Sequence, residues 1–600
     1  MSKFLYPPRP LTSLALTVLL SVWCANARPI FAQNPQPEEK QESIRGVVVN
    51  SVTREPVGRA LVFSPDNRFA TMTDGEGRFE FTFAKAENDE TKEESSSSAI
   101  AAGSAANICG ANGCTHYTSA NGAYRLGTLM VRKPGFLTDQ NATRNLQHDT
   151  TKEITIPLTP EALIVGRVVL ATSEPSDTIQ LELYRRQVQE GLAHWILAGS
   201  ASTKSNGEFR FAELAAGSYK LLTRELLDRD PLTFDPRGQL YGYPPAYFSN
   251  ATNFEAAQTI QLVAGQTFQA DISLVRHAYY QVKVAVANVP EMVHGINVIV
   301  SPQGQRGPGF ALGYNNRSQS IEGLLPDGNY TLQVSSFAPN AASGLLNITV
   351  RSAPVEGPAM ILVSNGSINL NVKEEFTSGE EGGSRSFTVE GNPAAFVPRG
   401  PRRYLDVRLQ PAGDLAGEGA GWLRNPSGPD DESLVIEGVQ PGRYWVKVES
   451  SRGFVSAISS GTTDLQHHPL IVGPGGTSSP IEITMRDDTA EIDGTIEGLA
   501  PSLTGSGPQT ADNSAAHLYF IPLPDSSGEF KDVWVPPDGK FGPRQMPPGT
   551  YRVLAFDRPQ QDLEYRNPKA MKAYDAKGQL VRLVAGQKEH LHLQLVSSTE

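Results

Sequence analysis

The stretch Pro548-Gly-Thr-Tyr-Arg-Val-Leu-Ala-Phe556 contains the pattern that decides the fold. Proline presets one backbone angle and glycine accepts the positive φ that other residues avoid, so this stretch predicts a turn. Its second half is rich in aromatic and β-branched residues, which favour a strand. The pattern Gly-x-Tyr occurs at Gly217 and Tyr219, Gly328 and Tyr330, Gly442 and Tyr444, and Gly549 and Tyr551. Successive copies lie about 110 residues apart, which indicates a repeated domain.

A second recurring pattern, upstream of the Gly-x-Tyr pattern, predicts a β-hairpin. Asn-Gly or Asp-Gly between two apolar strands is the strongest short-range hairpin signal. The same offsets recur in Thr73, Gly77 and Phe79, in Thr118, Gly122 and Tyr124, in Thr203, Gly207 and Phe209, and in Val535, Gly539 and Phe541. The strands that follow alternate apolar with polar residues, which indicates a sheet with one buried face.

The chain has 600 residues, too many for one hydrophobic core. Turn signals about every ten residues and nearly absent helical periodicity predict an all-β fold, a tandem array of about five Ig-like or transthyretin-like β-sandwich domains after a signal peptide. The predicted segments are a signal peptide and cleavage region (1–32) and five sandwiches (40–158, 159–277, 278–373, 374–488 and 489–600). Residues 84–120 are acidic, serine-rich and alanine-rich, so we expect a mostly disordered insertion there.

The N-terminus has the order of a secretory signal peptide. Lys3 and Arg9 precede an apolar run over residues 11–23, and small residues follow, with Ala27 and Ala32 as candidate cleavage positions. A retained membrane anchor is the alternative, but it needs about 20 apolar residues. No later stretch is apolar enough to span a bilayer. The mature chain is therefore predicted to have no membrane span and to be periplasmic or extracellular.

Two cysteines remain once the leader is removed. Cys109 and Cys114 are separated by Gly-Ala-Asn-Gly, a turn-forming sequence that could bring the thiols together. In an oxidising compartment we expect a local disulfide. A metal site with His116 is the alternative, but zinc wants four ligands and there is no second cysteine pair.

The stretch from Ile44 to Val62 and its continuation from Ala70 to Phe81 resemble the carboxypeptidase regulatory-like domain of bacterial proteins. The residues that carry this resemblance are Gly46, Val48, Pro56, Ala60, Val62, Thr73, Asp74, Gly77 and Phe79. Residues 163–222 look like a second copy. The resemblance implies a transthyretin-like sandwich that accompanies other domains without catalysing a reaction. The related starch-binding-like fold makes carbohydrate a candidate ligand by analogy of fold.

The sequence contains few candidates for a catalytic, metal or nucleic-acid-binding site. The formal net charge of −12 and the lack of a basic patch argue against nucleic-acid binding. Metallopeptidase histidine motifs, a nucleophile elbow, a phosphate-binding glycine loop and a Cys-x-x-Cys pair are all missing from the sequence. His590 and His592 would share one face of a strand, but a solvated face explains them better than a metal. We therefore predict no enzyme activity, no cofactor and no metal.

The best binding candidate is an aromatic, proline-stiffened loop that contains Tyr241, Tyr243, Tyr247 and Phe248. Exposed aromatic rings could stack on sugars or anchor a protein; the alternative is that they cover the end of their own sandwich. The sequence thus favours an exported, non-catalytic binding or scaffold protein with a polysaccharide or a cell-envelope protein as partner. A hydrolase with an unrecognised carboxylate site and a purely structural spacer of the envelope remain the alternatives.

Overall fold

The structure is a computed structural model. It describes residues 41–64, 70–84, 107–110, 113–116, 129–138, 153–170, 178–227, 238–290, 295–304, 309–336, 341–379, 386–389, 392–413, 421–476, 478–499, 516–524, 526–536 and 538–596. The predicted leader (1–32) lies outside these residues. The chain divides into two compact units, Met1–Glu42 with Thr82–Tyr124 and Ser43–Phe81 with Arg125–Glu600.

The described residues confirm the all-β prediction, because strands make up nearly all of the regular structure. The first sandwich contains β1 (Gln41–Asn50), β2 (Leu61–Phe63), β3 (Ala70–Met72), β4 (Arg78–Ala84), β7 (Met130–Arg132) and β8 (Ile154–Leu158), and the smaller unit contains β5 (Asn107–Gly110) and β6 (Gly113–His116). The second contains β9 (Ala162–Leu170), β10 (Gln180–Gln189), β11 (Leu192–Ser202), β12 (Glu208–Leu214), β13 (Gly217–Thr223), β14 (Leu226–Leu227), β15 (Leu240–Tyr243), β16 (Ile260–Leu262), β17 (Thr267–Gln269) and β18 (Ile272–Leu274).

The third sandwich contains β19 (His277–Ala287), β20 (Ile296–Pro302), β21 (Gly313–Asn315), β22 (Ser320–Pro326), β23 (Gly328–Ser336), β24 (Ala342–Val350), β25 (Val355–Glu356), β26 (Met360–Ile361) and β27 (Val363–Ser364). The fourth contains β28 (Gly366–Glu375), β29 (Phe387–Val389), β30 (Asn392–Phe396), β31 (Leu405–Pro411), β32 (Trp422–Leu423), β33 (Leu434–Val439), β34 (Gly442–Ser450), β35 (Phe454–Ser460), β36 (Thr463–Asp464), β37 (Leu470–Val472) and β38 (Ile481–Arg486), with 3-10 turns at Gly400–Arg403 and Pro474–Gly476.

The fifth sandwich contains β39 (Ala490–Glu497), β40 (Ala516–Pro522), β41 (Lys531–Val535), β42 (Lys540–Met546), β43 (Gly549–Phe556), β44 (Gln579–Leu583) and β45 (Lys588–Val596). A short helix α1 (Pro568–Met571) and a 3-10 turn (Lys572–Tyr574) lie between β43 and β44. Each sandwich begins with a strand that pairs in parallel with one of its last strands: β1 with β8, β9 with β18, β19 with β25, β28 with β38 and β39 with β45. The five sandwiches therefore share this parallel pairing of their first strand.

A glycine in the first strand recurs because an aromatic ring lies over it. A Cβ on Gly46 would be 2.5 Å from the ring of Phe79, and one on Gly166 would be 2.7 Å from the ring of Phe209. Gly494 has the same relation to Phe541, at 2.8 Å. The phenylalanine comes from the hairpin that the sequence predicted. The first-strand glycine and the hairpin phenylalanine are therefore the two halves of one packing contact in the first, second and fifth sandwiches.

The Gly-x-Tyr pattern is a tyrosine corner, in which a buried hydroxyl donates to the carbonyl four residues upstream. Tyr219 donates to Ala215 at 2.8 Å, Tyr330 to Pro326 at 3.0 Å, Tyr444 to Gln440 at 3.1 Å and Tyr551 to Pro547 at 2.7 Å. The glycine makes room for the ring, because a Cβ on Gly328 or Gly442 would lie 2.9 Å or less from the tyrosine two residues later. The corner pins the turn to the start of the strand.

Separate apolar clusters lie within residues 162–274, 282–362, 368–485 and 490–593. The predicted boundaries near 277 and 489 fall between clusters, and the boundary near 159 precedes the cluster that begins at Ala162. The boundary near 374 falls inside β28, which begins at Gly366 and pairs with β33 and β38 of the fourth sandwich. No proline or Asn-Gly turn marks the change at this point. That each cluster is a separately folding domain stays a prediction.

In the second and fifth sandwiches, a segment that follows the tyrosine strand covers the outer face of the sheet. Residues 244–258 cover one face, where Phe254 and Tyr247 pack with Leu222, Tyr184 and Trp195. Residues 557–575 cover the corresponding face of the fifth sandwich, and Leu563 packs there with Tyr519 and Phe556. Each segment gives its sandwich a second, smaller apolar core.

Within the predicted disordered insertion (84–120), the smaller unit contains the β5–β6 hairpin. Its register places Cys109 directly opposite Cys114. Directly opposed residues of an antiparallel pair are close enough for a disulfide to be possible, but the bond itself stays a prediction. These two short strands lie near the end of the insertion, and disorder over most of the insertion stays a prediction. The remainder of the insertion, apart from residue 84, lies outside the described residues.

Candidate binding cleft

The candidate site is built around the hairpin of β10 and β11, whose tip is Glu190-Gly191. Gln189 pairs with Leu192, so the turn has two residues, and both have positive φ, 53° at Glu190 and 75° at Gly191. These are the angles of a type I′ turn, whose twist matches that of the flanking strands. The turn keeps the two strands paired up to the tip.

The tip of this hairpin contacts the fourth and fifth sandwiches. The Glu190 carboxylate forms an ion pair with the ammonium of Lys447 on β34. The Gly191 carbonyl accepts a hydrogen bond from the Arg566 amide at 3.1 Å. A Cβ on Gly191 would lie 2.7 Å from the ring of Tyr565, so only glycine allows this approach. We call these contacts the hairpin clasp.

Two contacts behind the tip strengthen the clasp. Arg186 forms an ion pair with Glu564 at 2.5 Å, and only 10% of the Glu564 side chain is exposed. The His194 ring hydrogen-bonds the Gly413 carbonyl of the fourth sandwich through Nδ1 at 3.0 Å, which requires the proton on that nitrogen. Residues far apart in the sequence thus fix three sandwiches against one another. Partly buried ion pairs of this kind are less screened by salt than exposed ones.

Beside the clasp lies a cavity of about 1220 Å³. One wall is the outer face of β34, with Trp445, Lys447 and Glu449, since Tyr444 and Val446 point into the core. The opposite wall belongs to the fifth sandwich and includes Phe530, Tyr565, Arg566 and Lys572. The volume exceeds the ~300–1,000 Å³ of sites for drug-sized ligands. The cleft is therefore large enough for an oligomeric ligand.

Most carboxylates of the cleft already have a partner. Glu529 accepts from the Val455 amide at 3.0 Å and pairs with Lys531 at 3.1 Å, and Asp575 pairs with Arg552 at 2.7 Å. Glu190 is held by Lys447 in the clasp. Burial lowers the pKa of the Lys447 ammonium, while its hydrogen bond to Glu190 acts in the opposite direction. These carboxylates serve as charge partners.

A fourth carboxylate of the cleft, that of Asp464, contacts the His467 ring at 2.7 Å. Burial acts to raise the pKa of Asp464, but hydrogen bonds from His467 and from the Gln466 amide outweigh it and lower the pKa overall. This carboxylate therefore favours its ionised form, which suits a charge partner better than a proton donor.

Aromatic rings fix the fifth-sandwich wall. Tyr565 stacks on Phe530 with 3.8 Å between ring centroids and 2° between the planes. Burial raises the pKa of Tyr565 to about 12. The guanidinium of the next residue, Arg566, lies 6.0 Å from the ring centroid of Trp445 across the cleft. The Tyr565–Phe530 stack and the hydrogen bond from the Arg566 amide to the Gly191 carbonyl hold the backbone of Arg566 in place before any ligand arrives.

The aromatic loop predicted to bind a ligand is placed elsewhere. Tyr243 and Phe248 pack in the main core of the second sandwich, and Tyr247 packs in its smaller core. Tyr241 is 37% exposed and lies under the Arg276 guanidinium at 4.2 Å. Ligand binding by these residues stays a prediction, and Tyr241 is the one with an accessible face.

The same loop has a structural role that the sequence did not predict. β15 pairs with β14 on one side and with β19 on the other, so a strand that precedes the last strands of the second sandwich extends a sheet of the third. The ring of Tyr279 packs beneath Gly242, where a Cβ would lie 2.9 Å from it. The loop therefore joins two sandwiches through one hydrogen-bonded sheet.

The metal prediction was negative, and the described residues contain no group of three His, Cys, Asp or Glu side chains arranged to hold a metal. His590 pairs with Asp493, and His592 contacts the Thr495 hydroxyl at 3.1 Å on the solvated face of the strand. In the part of the chain that the structure describes, no helix has the length and hydropathy to cross a bilayer.

Sequence reasoning missed the clasp residues. Glu190-Gly191 precedes an apolar strand, and a two-residue turn ending in glycine was available as a hairpin signal. Its partners could not be found this way, because Arg186 and Glu564 are 378 positions apart. Lys447 is in a strand that the sequence predicted, but its outward direction gives no hint of a partner.

Comparison with solved structures returns several bacterial proteins, among them pilins. The Bacillus anthracis TIE protein is 10% identical over 73% of this chain and 74% of that chain, with a TM-score of 0.14. A streptococcal ancillary pilin is 11% identical over 54% of this chain and 99% of that chain, with a TM-score of 0.17. The major pilin subunit of Bacillus cereus is 9% identical over 72% of this chain and 99% of that chain, with a TM-score of 0.11.

No family model matches the chain, and no curated protein matches it. Structural likeness at these TM-scores carries no argument about function. The functional conclusion therefore depends on the geometry of the clasp and the cleft.

Proposed function

We propose that this chain is an exported, non-catalytic scaffold protein in which β-sandwiches are held in a fixed arrangement and present a binding cleft. The observation that carries the proposal is the hairpin clasp, which connects the second sandwich with the fourth and the fifth. A purely flexible string of domains would need no such contacts. A protein that presents a surface built from three domains does need them, because the surface exists only while the domains stay in register.

A binding role is favoured over hydrolysis by the state of the cleft carboxylates. Glycoside hydrolysis by a carboxylate pair needs one carboxylic acid that donates a proton and one free carboxylate. Here Glu190, Glu529 and Asp575 each pair with a cation. None of these three carboxylates is therefore free. These residues are therefore better suited to hold the walls together than to transfer protons.

The experiment that tests the scaffold is hydrogen exchange on a matched pair of glycine variants. Gly191→Ala places a methyl group against the Tyr565 ring, whereas Gly199→Ala, on the same hairpin, meets nothing within 4 Å. We expect Gly191→Ala to speed exchange of the Arg566 amide at least tenfold and Gly199→Ala to leave it within twofold. Equal protection in both variants would contradict the clasp.

Export and family membership are part of the same proposal. The basic, apolar and small residues of segment 1–32 support removal of a leader, with a mature chain that begins at Arg28 or Gln33. N-terminal sequencing of the chain recovered from the periplasm or the medium tests this. The Gly46–Phe79 contact supports membership in the carboxypeptidase regulatory-like family. A cell-envelope polymer, with carbohydrate as the candidate, is the proposed partner.

A further inference from the structure

We propose that the cleft beside the hairpin clasp binds an acidic oligosaccharide, whose sugar ring packs on Trp445 and whose anionic groups pair with Arg566 and Lys572. This inference rests on the proposed function, because the two walls of the cleft belong to different sandwiches. It names the class of ligand that the cleft selects.

Two cations of the cleft are left for a ligand. Lys447, Lys531 and Arg552 are cations of the cleft that already pair with carboxylates. Arg566 and Lys572 also line the cleft, and among the described residues neither has an ion-pair partner. A guanidinium and an ammonium without partners select anionic ligands such as carboxylates and sulfates.

The carboxylate of Glu449 also lines the cleft and is exposed. It would repel an acidic ligand if its charge were uncompensated. Its neighbours are Lys447 and Arg408, on which its charge acts. Both of these cations also pair with other carboxylates, but Glu449 belongs to the β34 wall, whereas Arg566 and Lys572 belong to the opposite wall, which keeps a positive character.

The cleft also contains an aromatic surface at Trp445. Trp445 is half-buried on the outer face of β34, and its ring faces the Arg566 guanidinium across the cleft. An indole face packs against the apolar face of a sugar ring, and a neighbouring guanidinium can pair with a group at the ring edge. The combination of one aromatic platform with adjacent cations distinguishes an acidic sugar from a neutral one.

Arg566 is preorganised by the contacts around it. Its backbone is fixed by the hydrogen bond that its amide donates to the Gly191 carbonyl, and the preceding Tyr565 is fixed by its stack on Phe530. A cation that is already in position loses less conformational entropy when a ligand arrives. The clasp therefore contributes to affinity as well as to the arrangement of the sandwiches.

The test uses the full mature chain and three hexasaccharide probes: hexagalacturonate for carboxylates, a sulfated hexasaccharide for sulfates and maltohexaose as the neutral control. Calorimetry at low salt and at 0.5 M NaCl measures Kd. We expect at least one acidic probe to bind at least tenfold more tightly than maltohexaose, and the added salt to weaken it, because the selecting contacts are ionic. Whichever acidic probe binds identifies the anionic group.

The variants Arg566→Gln, Lys572→Gln and Trp445→Ala should each raise Kd at least fivefold. The control is Lys577→Gln, which removes a positive charge from the same segment outside the cleft lining and should leave Kd within twofold. Lys572 is exposed, so its variant keeps the fold. Equal binding of maltohexaose, no binding of any probe, or unchanged Kd in all three cleft variants would overturn the proposal. Protection of the Arg566 amide in the same samples reports separately on the scaffold.

Discussion

Glu225 lies between the second and third sandwiches, in the connection after β13, and its carboxyl group is poorly solvated. Burial raises its pKa from 4.5 to about 7. One oxygen accepts a long hydrogen bond from the Ala311 amide at 3.4 Å. The Tyr279 hydroxyl is near, yet neither it nor Glu225 Oε1 has a hydrogen-bond partner of normal geometry. We predict that Glu225→Gln stabilises the protein at alkaline pH and not at pH 5.

The magnitude follows from proton linkage. The folded protein holds the Glu225 proton more tightly than the unfolded chain, so the group lowers stability as pH rises from 4.5 to about 7, and the full cost is present above that value. Each pKa unit corresponds to about 1.4 kcal/mol, which gives a cost of roughly 3 kcal/mol above pH 7. The variant removes the ionisable group and should recover roughly 1–3 kcal/mol at pH 8.5, because glutamine is also imperfectly hydrogen-bonded there.

The assay is urea unfolding of the wild type and of Glu225→Gln at pH 5 and at pH 8.5, with near-UV circular dichroism as the signal. Glu208→Gln is the control, since Glu208 is exposed in the same sandwich. We expect the difference between Glu225→Gln and the wild type to increase by at least 1 kcal/mol from pH 5 to pH 8.5, and the control to show no such trend. A pH-independent difference would refute the reasoning.

Three further outcomes are expected. Tyr551→Phe removes the hydroxyl that donates to Pro547 and leaves a carbonyl without its partner, so we expect a loss of about 1–2 kcal/mol in urea unfolding, and no loss would contradict the tyrosine corner. Gly166→Ala places a methyl group 1.9 Å from the Ala270 carbonyl oxygen and should destabilise the second sandwich by several kcal/mol, measured as a lower Tm, whereas Gly199→Ala should not. Thiol titration of the exported chain should find Cys109 and Cys114 oxidised, and two free thiols would rule out the disulfide.

Residue preferences for turns and strands were enough to predict the strands and turns from the sequence. The Asp538-Gly539 and Asn206-Gly207 signals predicted hairpins because a glycine with positive φ was required, and both glycines have it. The Gly-x-Tyr pattern predicted a turn and a strand. The structure shows why the residue is tyrosine: its hydroxyl donates a hydrogen bond to the carbonyl four residues upstream. Strand propensity alone does not predict this hydrogen bond, because any aromatic residue would favour a strand at this position.

Long-range pairing lay beyond the sequence analysis. The aromatic loop with Tyr243 and Phe248 was selected from its residue types. Whether those side chains are exposed or buried depends on the sheet that lies next to the loop, and the local sequence does not contain that information. The clasp between Arg186 and Glu564 combines two ordinary surface residue types from distant positions. The boundary predicted near residue 374 lies inside β28 for the same reason, since β28 is assigned to its sandwich by strand pairing rather than by a local turn.

The most direct measurement of the clasped arrangement is a spin-label distance between the hairpin strand and the fifth sandwich. Labels introduced by Ser200→Cys and Lys569→Cys occupy exposed positions, in a chain with Cys109 and Cys114 replaced by serine. A clasped protein gives one narrow distance distribution, and Gly191→Ala broadens it. A distribution that is already broad in the unaltered hairpin, and is the same with Gly191→Ala, would mean that the sandwiches are not held together in this way.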